Sequence, residues 1–142
     1  YTATFDVPYE PGTLKAVNSK GKEEFVLKTA GEPAAIRLIA DRSKIKACKN
    51  DLSYVKIELV DKNGNVVPET SLPVKIECTG KGTVIAGGNA AYADMESFRS
   101  LTPNTFRGKA IAIVQPDGEK GDIQVKVSAK GLEDASIVIT TY

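Results

Sequence analysis

The sequence predicts an all-β fold, an antiparallel β-sandwich, on three observations. Apolar and polar residues alternate with a period of two along most segments, as in strands that bury one face. Turn-forming residues recur between these segments at a spacing of about ten residues, and no segment keeps a helical period. The chain has 142 residues, 42% of them apolar, which suits one domain, or one domain and a fragment, with its own core.

The strand candidates follow from this alternation. The clearest covers residues 54–60, where Val55, Ile57 and Leu59 share one face and charged residues occupy the other. Residues 109–115 are apolar on both faces, which predicts a central strand with both sides covered. The remaining candidates alternate in the same way or are rich in Ile and Val: 34–40, 74–78, 123–129 and 135–141. About seven strands between residues 33 and 142 suit one immunoglobulin-like domain by size.

Short turns containing glycine separate these strands. Asn63-Gly64, within residues 61–65, is a strong hairpin signal. Residues 117–121 have the same role before the strand at 123–129, and Lys130-Gly131 follows that strand. These turns favour antiparallel neighbours.

Residues 1–32 differ from the rest of the chain. Residues 13–17 and 24–29 can form a β-hairpin around residues 18–22, but two strands alone cannot bury a face. We therefore expect residues 1–32 to be the last strands of a preceding immunoglobulin-like domain, with residues 31–33 as the linker, and residues 33–142 to form the sandwich. The hairpin should expose apolar surface, and its unpaired edge could pair with a second copy of the chain.

Composition argues against several classes of function. Lys and Arg number 19 and Asp and Glu 18, so the net charge of +1 disfavours nucleic acid or an anionic membrane as the main partner. The absence of His removes Ser-His-Asp and Cys-His catalysis and His-based zinc sites, and the absence of Trp weakens a sugar-binding platform. No stretch approaches the roughly 18 apolar residues that span a bilayer. We expect no self-sufficient enzyme, no cofactor and no metal site.

The two cysteines allow at most one internal disulfide, and whether they meet is left open. Cys78 lies on the apolar side of its strand with Val74 and Ile76, so we expect a buried thiol that behaves as a small hydrophobe. Cys48 lies between lysines, an environment that can make a thiol reactive. An incidental surface thiol is the preferred interpretation.

Three patterns invite a chemical interpretation but fit a structural one better. Residues 61–65 superficially resemble a calcium loop, but their glycine is fourth where an EF-hand has it sixth, and the twelfth residue is Leu72 where an EF-hand has Glu. We therefore predict a structural hairpin. The glycine-rich residues 80–89 lack the P-loop spacing and a following helix, so we predict turns that cross between sheets. Four carboxylates could suggest a glycosidase pair but are expected to be solvated: Glu10, Glu32, Asp94 and Glu96.

Residues 90–105 form the longest stretch without strand character and carry Tyr92, Met95, Phe98 and Arg99. Long loops in compact domains are often functional, and aromatic side chains there could contact sugar or a neighbouring domain. The alternative is that Phe98 and Phe106 plug the end of the sandwich. The candidate contact residues in the whole chain are Tyr9, Tyr92 and Phe98.

Several strings go beyond a generic β-sandwich. They are VPYEPGTLKAV at 7–17, KTAGEP at 28–33, AIRL at 35–38, DLSYV at 51–55, VDKNGNVVP at 60–68, FRGKA at 106–110 and GL at 131–132. In this order they resemble the C-terminal immunoglobulin-like domain of bacterial β-galactosidases of glycoside hydrolase family 2, with the tail of the immunoglobulin-like domain before it. A more distant similarity is to invasin-type bacterial immunoglobulin-like domains.

The resemblance implies a non-catalytic accessory domain that packs against other domains of a glycosidase or spaces it from a surface. In that family a retaining mechanism uses two glutamates about 5 Å apart, both upstream of anything present here. It also implies a periplasmic or extracellular, cell-surface location in a bacterium. The chain opens without Met and without a visible signal peptide, so we expect it to be cut from something longer. The alternative is a carbohydrate-binding or invasin-like adhesion module.

Overall fold

The computed structural model describes residues 3–18, 21 and 23–142. Within these residues the chain forms ten β-strands, and no helix there is long and apolar enough to cross a membrane. The strands are β1 Thr13–Val17, β2 Glu24–Lys28, β3 Ala35–Ala40, β4 Lys44–Ile45, β5 Ser53–Val60, β6 Val74–Gly80, β7 Gly82–Gly88, β8 Lys109–Pro116, β9 Gly121–Ala129 and β10 Ala135–Thr141.

Strands β3 to β10 form two four-stranded sheets, which we call the first and the second sheet. The first sheet has the order β4-β10-β9-β6 and the second the order β3-β5-β8-β7. All neighbours are antiparallel except the two-residue strand β4, which runs parallel to β10. The predicted antiparallel β-sandwich of immunoglobulin type is therefore confirmed.

The core lies between the two sheets and is made of the residues that alternate inward. Val55, Ile57 and Leu59 of β5 are fully buried, as the sequence predicted. From the first sheet they meet Ile123, Val125, Val127 and Ile139, which are equally buried. Burying each such side chain contributes about 1.5–3 kcal/mol, so this interface is the main source of stability.

Strand β8 corrects one prediction. It is central in the second sheet, between β5 and β7, but only one of its faces is covered. Ala110, Ala112 and Val114 are buried, whereas Ile111 keeps 38% of its surface exposed. A sandwich has two layers, so each sheet has one inner face and an apolar sequence on the other face does not create a third layer.

The turns also need one correction. Residues 61–65 close a short antiparallel hairpin at the end of β5, as predicted: Val60 pairs with Val66, and the amide of Val67 donates to the carbonyl oxygen of Leu59 at 3.0 Å. Residues 117–121 instead connect β8 of the second sheet to β9 of the first, so they close no hairpin. Lys130-Gly131 does close a hairpin, between β9 and β10. In the glycine-rich residues 80–89, the predicted crossing between sheets is the short connection from Gly80, the last residue of β6, to Gly82, the first residue of β7. The other predicted turns are absent there, because residues 82–88 form strand β7.

The N-terminal hairpin forms as predicted, with Thr13 opposite Lys28 and Val17 opposite Glu24. Ser19, Lys20 and Lys22 of its turn lie outside the described residues. Every residue of β1 and β2 is exposed. Residues directly opposite each other share a face, so one face of the hairpin is entirely apolar: Leu14, Ala16, Phe25 and Leu27. The expected exposed apolar surface is confirmed.

Candidate functional site

The three candidate contact residues do not line one site. Tyr92 and Phe98 are 100% and 71% exposed on the long segment of residues 89–105, which we call the strap. Phe98 borders a small cavity of about 30 Å³ beside the strap. Tyr9, 80% exposed, lines a separate groove next to the N-terminal hairpin.

The strap covers the free edge of β6. The amide of Ile76 donates to the carbonyl oxygen of Leu101 at 2.8 Å, and the amide of Val74 donates to that of Pro103 at 3.0 Å. Strand β6 is the last strand of the first sheet, so without the strap these amides would form an open edge that another chain could pair with. A segment predicted as a loop is therefore a structural edge cover.

The strap also contacts the edge of the second sheet. The amide of Gly87 in β7 donates to the carbonyl oxygen of Phe98 at 2.7 Å. The Phe98 ring lies against Gly88, where a Cβ atom would come within 2.8 Å of it. The glycines of β7 thus admit the strap, a role that the sequence pattern alone did not reveal.

The ends of the strap are tied together by side-chain amides. Asn89 donates to the carbonyl oxygen of Asn104 at 2.9 Å and accepts from the amide of Ala91 at 2.7 Å. Asn89 also donates to Asp94, and the Asn104 side chain donates to Glu96. These two carboxylates therefore stabilise the strap rather than facing each other as an acid pair.

The idea that Phe98 plugs the sandwich is wrong, because most of its ring is exposed. Pro103 and Thr105 are the buried residues of the strap. Phe106 is half-buried, and the guanidinium of Arg107 lies 5.6 Å from its ring centre. The four carboxylates expected to be solvated are all exposed: Glu10, Glu32, Asp94 and Glu96. Among the described residues, no group of three or more Cys, Asp and Glu could hold a metal ion.

Asp61 accepts four hydrogen bonds and was predicted only as part of a turn. Its Oδ1 accepts the amides of Asn63 at 2.8 Å and Asn65 at 2.9 Å, which closes the turn. Its Oδ2 accepts the amide of Gly31 at 2.9 Å and the side-chain amide of Asn65 at 3.0 Å. These donors, Gly31 first, lower the pKa of Asp61 to about 2. Both oxygens are used by N–H donors, which supports the structural interpretation over calcium binding.

A groove of about 1140 Å³ separates the N-terminal hairpin from the sandwich. One wall is formed by residues 7–10, 12–14 and 27–32, and the other by residues 66–70. Leu14 and Leu27, from the apolar face of the hairpin, and Tyr9 contribute to it. Glu10, Glu32 and Glu69 are its acidic residues.

The structure answers the question left open for the cysteines and corrects one expectation, because Cys78 is half-buried and not buried. Both are free, Cys48 on the surface and Cys78 half-buried against the core. The Sγ atom of Cys78 lies 3.6 Å from the carbonyl oxygen of Gly82, and burial raises the pKa of this thiol. A thiol that stays protonated is a poor nucleophile, so Cys78 is a packing residue.

Comparison with known proteins places these features in a family. The model of the family "Glycoside hydrolase family 2 C-terminal domain 5" matches residues 36–138. A β-galactosidase of Bacteroides ovatus is 34% identical over 137 residues, which are 94% of this chain and 16% of that protein. A β-galactosidase of Thermoanaerobacter pseudethanolicus is 30% identical over 81% of this chain and 16% of its own length.

A solved structure agrees with these sequence relatives. The crystal structure of a glycosyl hydrolase family 2 member from Bacteroides cellulosilyticus superposes with a TM-score of 0.88 at 39% identity. The match covers 96% of this chain and 19% of that one. The chain thus spans less than a fifth of the length of these relatives, and the resemblance inferred from its sequence strings is confirmed. The chain belongs to the glycoside hydrolase family 2 C-terminal domain 5 family.

Proposed function

We propose that this chain is a non-catalytic C-terminal accessory region of a larger glycoside hydrolase of β-galactosidase type. The observation that carries the proposal is the coverage of its relatives: 94% and 81% of this chain match about a sixth of the two β-galactosidases. In this role the sandwich packs against other domains of the parent polypeptide. Packing of this kind buries on the order of 600–1,500 Å².

The chemistry would then belong to upstream parts of the parent. A retaining glycosidase needs two carboxyl groups about 5 Å apart, one as acid/base and one as nucleophile. Asp94 and Glu96 are bound to strap amides, which supports leaving them out of catalysis. A periplasmic or extracellular location in a bacterium completes the proposal.

Residues 1–32 are proposed to complete a preceding immunoglobulin-like domain. The support is the hairpin itself, whose two strands are exposed on both faces although one face is wholly apolar. A face of this kind needs further strands or a second sheet to bury it. The groove beside the hairpin is where such elements could lie.

Two experiments test the proposal. The purified chain should not hydrolyse a chromogenic β-galactoside, and hydrolysis that persists through rigorous purification would overturn the non-catalytic assignment.

Light scattering at rising protein concentration should detect self-association through the exposed hairpin. Replacing Phe25 and Leu27 by Ser should reduce it, while Val26→Ser, on the opposite face, serves as the control. A wild-type chain that stays monomeric at high concentration would count against the open hairpin.

A carbohydrate-binding or adhesion module is the second candidate, favoured by the exposure of Tyr92 and Phe98 on a hydrogen-bonded strap. Aromatic rings with free faces can stack on sugars. Isothermal titration with galactosides and host glycans separates the candidates. An accessory domain gives no saturable heat, whereas binding that disappears in Tyr92→Ala would establish the module.

A further inference from the structure

Asp61 lies where the linker after the hairpin reaches the sandwich. It follows β5 directly, and only 4% of its surface is exposed. Its two oxygens have different partners. Oδ1 binds backbone amides inside its own turn, whereas Oδ2 reaches 30 residues back along the chain to the amide of Gly31.

Gly31 occupies a critical place between two hydrogen-bonded units. The hairpin closes with the amide of Thr29 on the carbonyl oxygen of Gly12 at 2.8 Å. The sandwich begins with the amide of Ala34 on the carbonyl oxygen of Val60, also at 2.8 Å. The bond from Gly31 to Asp61 therefore fixes the chain between these two points, where a free linker would otherwise allow rotation.

The turn that carries Asp61 is itself held to the second sheet. Arg37 of β3 donates from Nε and Nη2 to Glu58 of β5, at 2.8 and 2.6 Å. Its Nη1 donates to the carbonyl oxygen of Gly64 at 2.9 Å. Both donors meet the same oxygen, Oε2, while the Lys56 ammonium lies 3.1 Å from Oε1. These charge-assisted contacts hold the Arg37 side chain in place. The oxygen that meets Gly31 is thus presented from a rigid base.

We propose that Asp61 is a positioning residue, a latch that fixes the direction in which the segment before Gly31 leaves the sandwich. Within this chain the latch orients the N-terminal hairpin. In the parent glycosidase it would set the angle of the preceding domain, a consequence that rests on the function proposed above. The latch itself depends only on contacts within this chain.

Asp61→Asn is a selective test because an asparagine can keep Oδ1 and its two turn amides. It replaces Oδ2 by an NH₂ group, which cannot accept from Gly31. Amide exchange followed by NMR should show the Gly31 amide losing about tenfold or more of its protection, while the amides of Asn63 and Asn65 change little. Residual dipolar couplings of β2 should shrink relative to those of β9, because the hairpin then reorients.

Three further variants complete the design. Asn65→Ala removes the other Oδ2 partner and should leave the Gly31 amide protected. Gly31→Pro removes the donor, and its ring carbon takes the place of the N–H and displaces the Asp61 carboxylate, so it should free the hairpin as Asp61→Asn does. Gly31→Ala is its control, since an added Cβ meets the Asp61 side chain no closer than 3.8 Å.

One outcome is that, in both Asp61→Asn and Gly31→Pro, the residual dipolar couplings of β2 and β9 still fit a single alignment tensor, as for one rigid body. That result would mean that other contacts hold the hairpin, and it would refute the latch. If Gly31→Pro frees the hairpin but Asp61→Asn does not, Asp61 is not its partner and the proposal is again refuted. These outcomes are independent of what precedes the chain. They therefore leave the accessory-domain proposal to be judged by hydrolysis and scattering.

Discussion

At the scale of single residues, Asp61 should make the stability of the chain depend on pH. Its pKa is lowered to about 2 in the folded state, first by the amide of Gly31 and then by the side chain of Asn65. The unfolded value is about 3.9. A lowered pKa means that the folded state holds the proton less tightly, so its contribution is complete above about pH 4 and is lost as the pH falls towards 2.

We therefore expect the free energy of unfolding to decline between pH 4 and pH 2, with a smaller decline in Asp61→Asn. Urea unfolding at a series of pH values measures both. Parallel curves for the wild type and the variant across this window would show that the carboxylate does not contribute in this way.

Two glycines with similar backbone angles, Gly80 and Gly118, allow the cost of backbone strain to be measured apart from the cost of a steric clash. Gly80 has a φ of +97°, and a Cβ there would lie 2.1 Å from the carbonyl oxygen of Asp122. Gly118 has a similar φ of +107°, but a Cβ there meets nothing within 4 Å. Gly118→Ala should cost about 1–2 kcal/mol, the penalty for a left-handed conformation. Gly80→Ala should cost clearly more, because β6 and β9 must also separate.

Chemical unfolding of the two glycine variants provides the comparison. Equal stabilities would mean that the crossing between sheets relaxes freely around the added methyl group. A lower free energy of unfolding for Gly80→Ala than for Gly118→Ala would show that the fold requires the close approach of β6 and β9.

At the scale of elements, the strap decides how the sandwich ends. It completes the hydrogen bonds of β6 and touches β7, and Asn89 ties its two ends together. We expect Asn89→Ala to cost about 1–2 kcal/mol, because it removes two half-buried hydrogen bonds that each contribute about 0.5–1.5 kcal/mol. Amide exchange at Val74 and Ile76 should quicken, since their acceptors lie on the strap.

Tyr92→Ala is the matched control on the same strap. Its side chain is fully exposed, so its removal should leave both stability and the exchange of β6 unchanged. If Asn89→Ala leaves the β6 amides as protected as before, the strap is held by its backbone contacts alone.

At the scale of the whole molecule, the two proposed parts differ in their ability to fold alone. The core is built from strands β3 to β10, and the hairpin adds only exposed residues. Residues 33–142 should therefore fold without residues 1–32, with a single cooperative thermal transition within about 5 °C of the full chain. Calorimetry and circular dichroism of this fragment provide the measurement.

The fragment also lacks the hydrogen bond from Gly31 to Asp61. A fragment that fails to fold, or that loses more stability than Gly31→Pro does in the full chain, would show that the hairpin belongs to the sandwich. The division at residue 33 would then be wrong, although the two-sheet architecture would stand. The proposed preceding domain would lose its main support.

The sequence by itself determined most of the strands and their inward faces, because alternation with a period of two is local and encodes which side chains are buried. It also contained the strings that resemble the family. It could not determine which strands pair with each other, because the main-chain groups that form the hydrogen bonds are the same in every residue type except proline. Only the tertiary structure placed the turn at residues 117–121 between two sheets, made a strand of Gly82–Gly88 and laid residues 98–103 along two edges. It likewise left Ile111 on an outer face and joined Asp61 to Gly31, since contacts between distant residues depend on how the layers pack.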